Sequence, residues 1–105
     1  MVSEAPPLLL RRIVEALRPE TVWLFGSRAR GEATSASDWD FLVVLPDDAP
    51  DELLDGGRIW DLCLRDASVP ADVVAVRRGE FEQLRGLAGS LCRTVVEEGR
   101  PVYGR

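Results

Sequence analysis

Three aspartates carry the chemistry open to this sequence. Asp38 and Asp40 bracket Trp39 at the head of the apolar run 38–45, and Asp72 stands in a second run, 69–76. On a strand, side chains two residues apart share a face. Asp38 and Asp40 therefore project together, and Trp39 points the other way, toward a core. Two like charges held this close resist joint ionisation unless a cation sits between them. Asp72, among Val73, Val74 and Val76, is costly to bury unless it is paired or binds a metal. If its strand lies beside 38–45, the three carboxylates form one triad. An Asp-x-Asp pair alone reads as a solvated strand terminus, so its neighbours and the third acid matter.

The rest of the composition narrows the chemistry. All 13 basic residues are Arg, and the chain has no His and no Lys. That excludes Ser-His-Asp and Cys-His catalysis, a Lys Schiff base and His-ligated zinc. Carboxylates alone select hard cations, Mg²⁺ or Mn²⁺. Two such ions bridged by aspartates suit in-line phosphoryl or nucleotidyl transfer. Gly26-Ser27 supplies a complementary element. The glycine permits close backbone approach to a ligand, and the Ser hydroxyl and neighbouring amides can hold phosphate oxygens. Arg28 and Arg30 follow, and on their own they read as a solvated basic turn. Cys63 and Cys92 show no CxxC spacing and read as buried thiols in a reducing compartment.

Local sequence signals say how these residues are positioned. Leu8, Leu9, Ile13, Ala16 and Leu17 recur at helical spacing between Pro7 and Pro19, which predicts an amphipathic helix over 7–18. Residues 21–25 form an apolar, β-rich run ending at Gly26, and 38–45 form a second, closed by Pro46. A helix is predicted over 50–67, weakened by Gly56-Gly57. A third strand follows at 71–76. A last long helix spans 79–98, with Phe81, Leu84, Ala88, Leu91, Val95 and Val96 inward and Gly99 as its cap. Residues 101–103 suit a short terminal strand. Trp23 and Trp60 read as core residues. The alternation predicts an α/β fold, a small mixed sheet with helices packed on it.

At 105 residues, 46% hydrophobic and 30% charged, the chain is expected to form a single domain over 1–105. Its 18 acids leave a net charge of −5, which argues against direct nucleic-acid binding through a broad basic surface. The apolar run near the N-terminus is too short for a signal peptide, and nothing approaches the ~20 residues of a membrane span. A soluble, cytoplasmic protein with no membrane partner is expected.

Taken together, Gly26-Ser27-Arg28-Ala29-Arg30-Gly31, Ser37-Asp38-Trp39-Asp40 and Ala71-Asp72-Val73-Val74 resemble the minimal nucleotidyltransferases of the polymerase-β superfamily. The resemblance spans about the whole chain and implies the polymerase-β-like nucleotidyltransferase fold. By the same resemblance, Gly26 and Ser27 hold a nucleotide triphosphate, and Arg30, with Arg28 likewise, contacts phosphate or braces the loop. Asp38 and Asp40 bind two Mg²⁺ or Mn²⁺ ions. Asp72 completes one metal site and helps activate the acceptor. Trp39 departs from the aliphatic residue usual between the two acids. Members of this kind resemble the antitoxin half of a pair whose partner is a helical HEPN-domain toxin, and they transfer AMP from ATP to a toxin tyrosine. Two other functions stay open: an antitoxin that acts by binding alone, and a small-molecule nucleotidyltransferase. A homodimer is also open.

Overall fold

The computed structural model describes residues 5–104. Helix α1 (Pro7–Leu17) starts on a proline, whose fixed φ and missing N–H suit the first helical turn. Leu9, Ile13 and Leu17, four residues apart, form its buried stripe. It ends at Arg18, which adopts a left-handed conformation (φ 50°) and returns its N–H to the Val14 carbonyl.

Strands β1 (Thr21–Phe25), β2 (Trp39–Leu45), β3 (Ala71–Arg77) and β4 (Arg100–Gly104) form one sheet in the order β3-β2-β1-β4. β1 runs antiparallel to both β2 and β4, and β2 runs parallel to β3. The sheet is mixed, as expected. Between β1 and β2 lies the one-turn helix α2 (Ser27–Arg30).

Side-chain alternation splits the core in two. Phe41, Val43 and Leu45 of β2 and Val73 of β3 meet Leu9, Ile13 and Leu17 of α1, with Ile59 and Cys63. Leu42 and Val44, on the opposite face, meet Phe81, Cys92 and Val95. β2 is thus covered on both faces. Cys63 and Cys92 are free and buried, and burial pushes the Cys63 thiol up to about 11.

Both long helices predicted from periodicity are broken. In place of one helix over 50–67 there is a 3₁₀ turn at Asp51–Leu54, a helix α3 (Gly56–Ile59) and a π-helical turn at Trp60–Leu64. Asp55 interrupts the first two by taking an extended conformation, from which its carboxylate accepts the Arg58 N–H. This is N-cap behaviour, and it competes with helix continuation. Trp60 is 49% exposed rather than core. The helix predicted over 79–98 divides into α4 (Arg78–Leu84) and α5 (Leu91–Glu98). Gly89 is left-handed (φ 88°), and the Ser90 hydroxyl accepts the Arg93 N–H while donating to the Leu84 carbonyl. Ala88 and Leu91 are consequently exposed, and Cys92 takes the inward position.

Gly99 ends α5 in an extended conformation rather than as a left-handed cap. Its reason is space. A Cβ there would lie 2.5 Å from the Leu24 carbonyl oxygen and 2.7 Å from that of Val95. Neither backbone oxygen can yield without disturbing β1 or α5. Glycine-to-alanine changes at unstrained sites stabilise by about 0.4–1 kcal/mol. Gly99→Ala should instead destabilise by ~1–3 kcal/mol, the scale of overpacking, read from the urea midpoint at unchanged slope.

Candidate active site

The site begins where β1 ends. Phe25 is opposite Asp40 in the β1–β2 register, and the chain then turns at Gly26. Gly26 has φ 77° and ψ −160°, a conformation in which only glycine is at ease. A Cβ on it would overlap the Asp40 Oδ2 oxygen. The turn is therefore built flush against that carboxylate. α2 follows, its Ala29 and Arg30 N–H groups donating to the Gly26 carbonyl, and left-handed Gly31 closes it.

Asp40 shares its sheet face with Leu42 and Val44, and the parallel pairing sets Asp72 directly beside it. Asp38 lies one residue before β2 and is exposed, as is Asp72, whereas Asp40 is half-buried. Asp40 has its pKa raised above the ordinary carboxylate range. Burial is the main cause, the negative charges of Asp38 and then Asp72 add to it, and Arg30 opposes it. The charges of Asp38 and Asp72 thus bear on Asp40. The three acids are not drawn into a ready three-ligand cage among the described residues; mutual repulsion favours that spread. The donor set is oxygen only, with both thiols buried in the core, and the glycine surface against Asp40 Oδ2 leaves that carboxylate approachable. This suits a hard divalent cation.

Asp72 departs from its expected place. Asp72 is not an acid buried in mid-strand. β3 is an edge strand, and Asp72, its second residue, is exposed. What brings it to Asp40 is register, not a need for a buried partner.

The arginines divide. Arg28 stacks over the Trp39 ring at 4.3 Å and donates through Nη2 to the Ser37 carbonyl at 2.9 Å. Its Nε is buried without a partner. As placed, Arg28 clamps the loop that delivers Asp38, and Trp39, packed on the α1 side of the sheet, is its platform. Arg30 reaches Glu32 at 2.8 Å and Glu98 at 3.3 Å, tying α2 to the end of α5. Ser27 is partly exposed at the start of α2. Sequence reasoning missed the Arg28–Trp39 stack and the Glu98 contact. The unusual Trp between the acids was the available signal for the first.

Three clefts, of about 220, 430 and 480 Å³, lie around α1 and near Tyr103. None is lined by Gly26, Asp38, Asp40 or Asp72. The acidic site is an open rim, and its chemistry rather than its concavity identifies it.

The nucleotidyltransferase domain family matches residues 9–102. No curated protein sequence matches the chain. Among solved structures, a toxin–antitoxin complex with AMP-PNP aligns at 28% identity and TM-score 0.61, over 90% of this chain and 73% of its own. A protein of Sulfolobus solfataricus described as a nucleotidyltransferase aligns at 24% identity and TM-score 0.58, over 92% and 78%. A mutant of the toxin–antitoxin pair MntA–HpeT aligns at 23% identity and TM-score 0.62, over 92% and 70%. The last two support the fold.

The raised pKa of Asp40 has a definite thermodynamic sign. An acid whose pKa is higher folded than unfolded loses relative stability as pH rises from the ordinary carboxylate range through the raised value. At neutral pH its charge is destabilising. Asp40→Asn should therefore raise the melting temperature of the metal-free chain at pH 7. The difference should close as pH falls below the ordinary carboxylate range, where both proteins are neutral at this position. A lower melting temperature for Asp40→Asn at pH 7 would contradict the assignment.

Proposed function

This chain belongs to the nucleotidyltransferase domain family, and on that premise we propose that it is an antitoxin that moves AMP from ATP to a tyrosine hydroxyl of a HEPN-domain toxin. The observation that carries the reading is the Gly26 turn set flush against Asp40, with Asp72 beside it. The likeness to a toxin–antitoxin complex with AMP-PNP supports the toxin partner and the adenine nucleotide. Among the described residues no helix is long and apolar enough to cross a membrane, and we place the reaction in the cytoplasm.

In this reading Asp38, Asp40 and Asp72 hold two Mg²⁺ ions. When bound, the ions neutralise phosphate charge and favour the ionised acceptor. The chain's own residues do the rest. Ser27, through its hydroxyl and amide, holds triphosphate oxygens, and Gly26 lets them approach Asp40. Arg28 keeps the 32–38 loop in place by its hold on Trp39 and Ser37. Arg30, on leaving Glu32 or Glu98, contacts phosphate in this reading. The acceptor oxygen forms a bond to the α-phosphorus as the bond to the bridging oxygen breaks. Pyrophosphate leaves with that electron pair, and Asp72 accepts the hydroxyl proton.

Two measurements test this. Mg²⁺ with ATP should raise the melting temperature, ligand at ~100 times its dissociation constant adding about 2.7 kcal/mol. Asp38→Asn with Asp40→Asn should remove the shift. Intact mass of the toxin after incubation with ATP and Mg²⁺ should gain one or more AMP units. Asp72→Asn, which keeps size and removes charge, should slow this by ~10² or more while toxin binding survives. An unchanged toxin mass with toxicity still suppressed would replace catalysis by binding alone.

A further inference from the structure

The two edges of the sheet are finished differently. β4 carries Pro101, which has no N–H to offer, and its pairing with β1 shifts register between Val22 and Trp23. Both features blunt an edge. β3 has neither. It reads ADVVAVR, and its one sheet neighbour is β2. The Trp39 N–H donates to the Pro70 carbonyl, which sets the strand's phase. The backbone groups of Asp72, Val74 and Val76 turn toward β2, and those of Ala71, Val73 and Ala75 turn outward. Among the described residues nothing bonds these outward N–H and C=O groups.

We propose that this edge is the docking lane for the acceptor protein, an extended, hydroxyl-bearing segment of which adds to β3 as a fifth strand. The proposal rests on the transfer reading and specifies how the acceptor is held. The lane starts at the site, because Asp72 is the second residue of β3 and stands opposite Asp40. An added strand lies ~4.8 Å away. Its residue level with Asp72, on the same face, therefore places its side chain beside the carboxylates. Two residues along, Val74 is 37% exposed on that face and offers an apolar contact to the next side chain of the segment. Main-chain bonds supply affinity, and these alternate positions select the segment.

A second copy of this chain is the rival occupant. Antiparallel pairing of two β3 strands about Val74 would set Asp72 against Val76 of the other copy. That leaves a carboxylate facing an apolar group and joins two chains of net charge −5. Both effects oppose the pairing.

The probe is a nine-residue peptide alternating Val and Thr around a central Tyr, added to the full chain. Amide hydrogen exchange at Val73 and Ala75 should slow about tenfold or more at saturation, with β4 unaffected. Ala75→Pro removes one outward N–H and spares the ladder to β2. It should weaken peptide binding by about tenfold or more, with pyrophosphate release from ATP, Mg²⁺ and free tyrosine unchanged. If Ala75→Pro fails to fold, Ala71→Pro serves, at a first strand position where proline is tolerated. Unchanged exchange at Val73 and Ala75 with millimolar peptide, or equal binding by the proline variant, overturns the lane. Concentration-dependent protection of the same amides without peptide, with a dimer in sedimentation, assigns the edge to a second copy and also overturns it. Absence of pyrophosphate release in the wild type overturns the transfer reading instead, and the exchange data still decide docking.

Discussion

The register of β2 is the constraint on which the rest depends. Phe41 to Leu45 are buried on alternate faces, and each face is closed by a different set of helices. A slip of one residue would send every side chain to the wrong layer. Each apolar side chain so buried contributes roughly 1.5–3 kcal/mol. Repulsion between two carboxylates 4 Å apart near water is about 1–4 kcal/mol. The apolar lock therefore outweighs the carboxylates' tendency to separate. It holds Asp40 level with Asp72 on one side and against Gly26 on the other.

The same comparison explains what could be read from the sequence. The runs at 21–25, 38–45 and 71–76 are strands because their apolar character is continuous and punctuated by Gly or Pro, and short-range signals suffice for that. The mixed α/β class follows from their alternation with helical segments. The breaks at Asp55 and at Gly86 to Ser90 escaped because periodicity reports which residues are apolar, not whether the helix continues between them. A carboxylate taking the Arg58 N–H, or a hydroxyl reaching the Leu84 carbonyl, decides that locally. Asp72 was picked out for a reason the structure does not support. Whether a strand is central or at an edge depends on pairing partners far away in sequence, so its burial could not be read from Val73 and Val74.

Arginine is the chain's only basic side chain, and several arginines are held in ion pairs. Arg77 meets the Ala49 carbonyl and Asp51, and Arg78 meets Glu20 and Asp47. Asp47 also accepts the Gly79 N–H, which, with Arg78, lowers its pKa and anchors the start of α4. Exposed pairs of this kind stabilise little individually. Their effect is positional, since they fasten the loops at the far end of β2 and β3. Arg28 differs because its charge lies on an aromatic face with one nitrogen buried. A planar guanidinium does this in a way an ammonium does not.

An open rim of carboxylates is electrostatically weak on its own. Salt largely screens exposed charges more than about 8 Å apart at physiological ionic strength, and a coupling at about 4 Å worth about 1 kcal/mol in water reaches about 4 kcal/mol at an effective dielectric of about 20. Gly26 and α2 wall the site on one side, and none of the three clefts is lined by its carboxylates. In the transfer reading, the opposite wall comes from the acceptor itself. A protein seated along β3 would exclude water from Asp40 and Asp72 as it presents its hydroxyl. The chain would then be a weak catalyst alone and an effective one in complex, because recognition and the drop in local dielectric are the same event.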